Sequence, residues 1–264
     1  MAGAATLPIL GGSQFSACAV ATACARDDVQ TCLRPFNIAA ARAAVIVDRL
    51  DMAAMAPAHD SDKTCEPRPA PEMRYPDRLR LPFAFDRDLL AADLERLHES
   101  QWISHFVTQN YHGDWSVIPL RGPAGARHAV QMIYSDPAAT AFADTPMLAA
   151  CPYFRAVIAT FACPLQAVRL MRLTPGSVIK EHSDHDLSFE QGSVRIHIPI
   201  ITNDGVVFEL NRRRVMLEAG SCWYLRLSDP HSVANRGETD RVHLVIDASV
   251  NGWIESTFAA AAGA

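Results

Sequence analysis

The chain has 264 residues, of which 49% are hydrophobic and 20% charged, with a formal net charge of −5 at pH 7. That is enough apolar material for the buried core of one principal domain, the acidic balance offers no footprint for nucleic acid, and no apolar run reaches the length of a membrane span. The cysteines at 18, 24, 32, 65, 151, 163 and 222 are odd in number and have no C-x-x-C spacing, which argues against a zinc cage and a disulfide framework and fits reduced thiols in a cytoplasmic protein.

Residues 1–76 read as a poorly ordered Ala/Pro-rich extension, with one helix predicted over Asn37–Met55 and a proline-rich stretch after it. Ala23-Cys24-Ala25 has the small-residue look of an export cleavage site. No Lys or Arg precedes it, however, and Gly11, Gly12, Ser13 and Gln14 interrupt the apolar run, so export is not expected. Met73 is a candidate alternative start. The principal domain is set at 77–256 and a tail at 257–264.

From Leu79 the signals sharpen. Leu81–Phe85 reads as a strand, and Asp86 caps a helix carrying Leu90, Leu94 and Leu97 at helical spacing. A second helical block starts at Thr145-Pro146 and restarts at Cys151-Pro152, placing Phe154, Val157, Ile158 and Phe161 on a buried face. After Pro164 the period changes to two. Strands are predicted at 166–173, 177–184, 193–201, 206–210, 213–218, 221–227, 231–235 and 241–249, with Pro175-Gly176, Asn203-Asp204-Gly205, Ala219-Gly220 and Arg236-Gly237 as turns. Eight short strands with flanking helices make a mainly β chain of jelly-roll, cupin-like type.

The strand segments carry the chemistry. His182-Ser183-Asp184 followed far downstream by His231 is the two-histidine, one-carboxylate set of non-haem Fe(II) oxygenases, which leaves coordination positions open. On an extended strand His182 and Asp184 point the same way, Asp186 shares that side as the rival carboxylate, and His185 points away. Ten positions past His231, Arg241 opens the apolar strand Val242–Ile246. A buried guanidinium there is explained if it forks onto the carboxylate of a small anionic co-substrate such as 2-oxoglutarate. In 193–201 the side carrying Arg195 and His197 faces either water or a cavity; periodicity alone allows both, and the metal motif tips the reading toward the cavity.

In combination, Leu173-Thr174-Pro175-Gly176-Ser177, Glu181-His182-Ser183-Asp184, Val194-Arg195-Ile196-His197-Ile198-Pro199, Cys222-Trp223-Tyr224-Leu225, Pro230-His231 and Arg241-Val242-His243-Leu244 resemble the aspartyl/asparaginyl beta-hydroxylase family, whose bacterial members include proline cis-hydroxylases. The resemblance runs from about Leu79 to Trp253. It implies a double-stranded β-helix, Fe(II) held by His182, Asp184 and His231, 2-oxoglutarate gripped by Arg241 with Arg195 and His197 nearby, O2 as oxidant, and release of succinate and CO2. It also makes Trp102, His105-Phe106, Tyr111–Trp115 and Arg121 an active-site wall, with Trp115, Arg121 and His243 as substrate contacts. The proline hydroxylases carry a further carboxy-terminal region, whereas this chain ends about thirty residues after His231, so free proline is not the expected substrate.

The expected partner is a small-molecule amino acid or a peptide, with Arg121 and Arg195 hinting at a carboxylate on it. Neither nucleic acid nor membrane is expected. Two other readings stand beside this one: a cupin-like metal enzyme that does not use 2-oxoglutarate, and a non-catalytic metal- or ligand-binding β-barrel module.

Overall fold

The computed structural model describes residues 73–134 and 138–263; the helix expected over Asn37–Met55 and the export and proline-rich segments lie outside them. In chain order the strands are β1 (Arg78–Ala84), β2 (Ile103–Ser104), β3 (Tyr111–His112), β4 (Trp115–Pro123), β5 (Phe142–Asp144), β6 (Leu165–Leu173), β7 (Val178–His182), β8 (Ser193–Ile201), β9 (Val206–Leu210), β10 (Arg213–Val215), β11 (Ser221–Leu225), β12 (His231–Asn235) and β13 (Arg241–Ser249). The helices are α1 (Arg87–Leu94), α2 (Ala129–Ile133), α3 (Pro146–Ala149), α4 (Pro152–Ala159) and α5 (Gly252–Ala262).

The strands form two antiparallel sheets. The larger runs β1-β11-β8-β13-β6-β4-β2 with β5 on the flank of β4, and the smaller runs β10-β9-β12-β7-β3. Residues of both sheets share one apolar cluster, including Trp115, Met171 and Val245 from the larger and Ile179, Phe208 and Val233 from the smaller. This is the two-sheet jelly roll expected from the strand spacing.

Period-two alternation gives the large sheet two different faces. Val194, Ile196, Ile198 and Ile200 on β8, with Val242, Leu244, Ile246 and Ala248 on β13, pack against α1, α4 and α5 through Leu90, Phe154, Val157, Ile254 and Phe258. The opposite parity carries Arg195 and His197 on β8 and Arg241, His243 and Asp247 on β13, all buried. The polar side of β8 therefore faces the interior between the sheets, not water.

Capping fixes the helical layer. Asp86 accepts from the backbone N–H groups of Asp88 and Leu89 to start α1. Buried Asp93 at the end of that helix accepts from the N–H groups of Tyr153 and Phe154 at 2.7 and 2.8 Å, satisfying the orphan donors of α4. Gly113, at φ +82°, turns β3 into β4 so closely over Ser177 that no Cβ would fit.

Several expectations need correction. The nine-residue β4 lies where no strand was predicted; it contains Pro119, Gly122 and Pro123, which it absorbs with a register shift between Pro119 and Arg121. The segment 257–264, expected as a tail, is largely the second half of α5, which Asn251 caps and whose Phe258 is buried against Tyr224 and Tyr75. Tyr75, assigned to the extension, is buried edge-on to Phe189, so core packing begins upstream of residue 77. Helix α1 stops at Leu94, and β7 stops at His182 instead of reaching 184.

Candidate functional site

His182 ends β7 and His231 begins β12, and the two are direct cross-strand partners with ring centroids 4.3 Å apart. Asp184 lies beyond the strand end. Its backbone N–H donates to the Leu227 carbonyl at 2.8 Å, and its Oδ1 comes within 3.7 Å of His182 Nε2. The chain-turn after His182, not an extended register, thus brings the carboxylate back to the histidines. One ligand atom from each of His182, Asp184 and His231 lies within 4.8 Å of the others. The rival Asp186 is exposed in a left-handed conformation at φ 67° and lies outside this group, as does exposed His185.

Hydrogen bonds set the tautomers. His182 Nδ1 sits 2.8 Å from the Lys180 carbonyl and His231 Nδ1 3.0 Å from the Asp229 carbonyl. A carbonyl only accepts, so each Nδ1 carries the proton and each Nε2 keeps its lone pair. Burial, with the His182 ring next to it, pushes His231 down to about 4, leaving it neutral, the form in which imidazole ligates. Two imidazoles and one carboxylate on one side, open toward a cavity, fit a ferrous ion.

Behind Asp184 runs a chain of charge. Arg195 donates from Nη1 to Asp184 Oδ2 at 2.6 Å, and from Nε and Nη2 to the two oxygens of Asp247 at 2.6 and 3.0 Å. Arg169, on β6, pairs with the same Asp247 and donates to the Ile133 carbonyl at 2.8 Å. Despite its burial, Arg195 is held firmly protonated by Asp247 and Asp184. Arg195 lines the cavity, as expected of a residue near the co-substrate, but its Nε, Nη1 and Nη2 already donate to two carboxylates of the chain.

Arg241 is the contrasting case. It is 2% exposed, and among the described residues no carboxylate pairs with it. Its Nη2 donates to His243 Nδ1 at 2.9 Å, Phe208 lies 6.0 Å beneath the guanidinium, and Nε has no partner. Burial pushes it down to about 9, the mark of a desolvated cation short of an anion. Since His243 Nδ1 accepts from Arg241, His197 Nδ1 is the donor in their 3.3 Å contact. His243 stands behind this pair and does not line the cavity, which corrects its expected role as a substrate contact.

The cavity between the sheets has a volume of about 640 Å³ and is lined by the three candidate ligands, Arg195, His197 and Arg241. Its other wall is aromatic. The His105 ring stacks on Trp115 at 3.6 Å and 7°, Phe106 stacks on His105 at 4.9 Å, and Tyr134 meets Phe106 edge-on at 5.8 Å. Trp115 thus lies where the sequence placed it. Arg121 does not: on β4 it points to Asp144 at 2.5 Å and to the carbonyls of Phe142 and Leu165, away from the cavity.

Sequence reasoning passed over Asp247 and Arg169. Their signal was a lone charge in an apolar strand, as in Val168-Arg169-Leu170 and Ile246-Asp247-Ala248, each at the inward parity.

Residues 86–250 match the family model described as aspartyl/asparaginyl beta-hydroxylase. The chain is 28% identical over 174 residues to L-proline cis-4-hydroxylase of Rhizobium meliloti (strain 1021), an alignment that covers 65% of this chain and 60% of that protein. The chain thus spans less than two thirds of that relative's length. Among solved structures, a Pseudomonas putida prolyl-4-hydroxylase overlaps 68% of this chain and 95% of its own at 15% identity and a TM-score of 0.40. The viral collagen prolyl hydroxylase of Paramecium bursaria Chlorella virus-1 overlaps 66% and 97% at 6% identity and a TM-score of 0.40.

Proposed function

This chain belongs to the aspartyl/asparaginyl beta-hydroxylase family, and from that premise we propose that it is an Fe(II)- and 2-oxoglutarate-dependent dioxygenase. It would hydroxylate an amino acid or an Asp/Asn-type residue and release succinate and CO2. The observation that carries this reading is the buried, carboxylate-free Arg241 in the same cavity as His182, Asp184 and His231. A dicarboxylate co-substrate that chelates the metal with one end gives such an arginine a partner for the other.

His182 and His231 would hold the ion through Nε2, and Asp184 through the oxygen that Arg195 leaves unengaged. A ferrous ion bound there supplies O2 activation coupled to oxidative decarboxylation of 2-oxoglutarate. The chain's own part is positional. Lys180 and Asp229 carbonyls fix the two rings, Arg195 fixes Asp184, and Arg241 offers its free donors to a carboxylate. The His105, Trp115 and Phe106 wall keeps water from the reacting groups.

Anaerobic titration of the metal-loaded protein with 2-oxoglutarate tests the anchor. Arg241→Leu should weaken binding about 10²-fold or more, the loss typical of a buried charged partner. Unchanged affinity would remove Arg241 from the co-substrate site.

A further inference from the structure

We propose that Asp247 determines the substrate class of this cavity: by occupying Arg195 and Arg169 it selects an aminoacyl group whose carboxyl is capped as an amide or ester, and disfavours a free amino acid. The inference rests on reading the cavity as a hydroxylase site and concerns what enters beside the co-substrate.

Three arginines line the cavity, Arg169, Arg195 and Arg241. A free amino acid needs a cation for its carboxylate, and the forked guanidinium is the side chain best shaped for that. Arg195 already donates to both oxygens of Asp247 and to Asp184, and Arg169 pairs with Asp247 from the neighbouring strand. Among the described residues, two guanidinium groups thus stand against two carboxylates, and all but Asp184 are nearly fully buried. A third carboxylate entering here would either meet Asp184 and Asp247 as like charges or strip Arg195 from one of them, leaving that anion desolvated.

Arg241, the cavity arginine without a carboxylate among the described residues, is committed to the co-substrate. It opens β13 at the opposite end of the strand from Asp247, six residues or roughly 20 Å away at strand rise. The hint of a substrate carboxylate from Arg121 fails as well, because Arg121 points to Asp144 outside the cavity.

Besides its arginines, the cavity offers an incoming group an aromatic wall and, at exposed Asp186, a further negative charge. Trp115, His105 and Phe106 stack in turn along the wall and Tyr134 meets Phe106 edge-on, and the outer members Phe106 and Tyr134 are 37% and 45% exposed. Rings and apolar side chains with a neutral acyl terminus suit such a surface.

The test is calorimetric titration of the metal- and 2-oxoglutarate-loaded protein, without oxygen, with L-proline, L-leucine and L-phenylalanine and with the primary amide and methyl ester of each. The amide or ester is expected to bind at least 10-fold more tightly than the acid. Tighter amide than ester identifies peptide-type linkage, and the reverse an ester-linked carrier. In Asp247→Asn, where one carboxylate is removed, the ratio should fall at least 10-fold or invert in favour of the acid. Free acid binding as tightly as its amide in the wild type, or an Asp247→Asn protein with an unchanged ratio, overturns the proposal. So does the failure of all nine probes to bind while 2-oxoglutarate binds. If Asp247→Asn does not fold, the wild-type ratio decides alone. If 2-oxoglutarate itself fails to bind, the hydroxylase reading falls separately, and the acid-to-amide ratio on the metal-loaded protein still decides the specificity claim.

Discussion

Arg195 and Asp247 are direct partners across β8 and β13, and their side chains close a bidentate ion pair of 2.6 and 3.0 Å in the interior between the two sheets. The pair is one residue removed from the candidate metal site, because Arg195 also holds Asp184.

Arg195→Leu should therefore act twice. It removes the bidentate partner of buried Asp247 and should destabilise the fold by about 3–5 kcal/mol, the cost of breaking a buried pair. In the fraction that folds, Asp184 loses its orienting donor and metal affinity should fall about 10–100-fold, as for other groups that support a ligand. Urea unfolding and competitive metal titration read the two effects; a stable variant with unaltered metal affinity would show that Arg195 does neither.

The metal-free protein should lose stability as pH falls. His231 is held at about 4 by burial, and burial also places His197 and His243 well below their ordinary range. These rings stay neutral in the folded chain while the unfolded chain protonates through pH ~6.5. Their stabilising contribution is thus complete above that pH and is lost as pH drops toward 4. His231 alone should account for about 2 kcal/mol between pH 7.5 and pH 5. Urea midpoints across this range check the sign; a midpoint that rises on acidification would contradict it.

Asp93→Ala removes the carboxylate that accepts from the Tyr153 and Phe154 amides at the start of α4. The expected cost is about 2 kcal/mol, the upper part of the range for a lost N-cap. Chemical denaturation should show it with 2-oxoglutarate affinity unchanged, since the cap lies on the helical side of the large sheet.

Much of this molecule was legible in the sequence because β-strand alternation is a strict code. Strands β6 to β13 fall within a few residues of where period two placed them, and His182, Asp184 and His231 come together in the cavity that Arg241 also lines, although a turn and not the extended register brings Asp184 there. Where the code failed, a local signal had been overridden by tertiary context. Pro119 and Gly122 look like breakers but sit in β4, held by β6 on one side and β2 and β5 on the other. The alanine-rich end from 257 looks like a tail but forms the second half of α5 and buries Phe258. Arg195 and Arg121 looked equally free to grip a ligand, because the partners that claim them, Asp247 and Asp144, are distant in sequence and neither carries a motif of its own.

The most direct test of the central claim is the stoichiometry of 2-oxoglutarate turnover. Protein reconstituted with Fe(II) without oxygen, then given 2-oxoglutarate, air and a panel of amino acids and their amides, should form one succinate per 2-oxoglutarate consumed and a product heavier by one oxygen. Both should vanish in His182→Ala and His231→Ala. Iron-loaded protein that consumes no 2-oxoglutarate, or succinate formation that survives either substitution, would contradict the account.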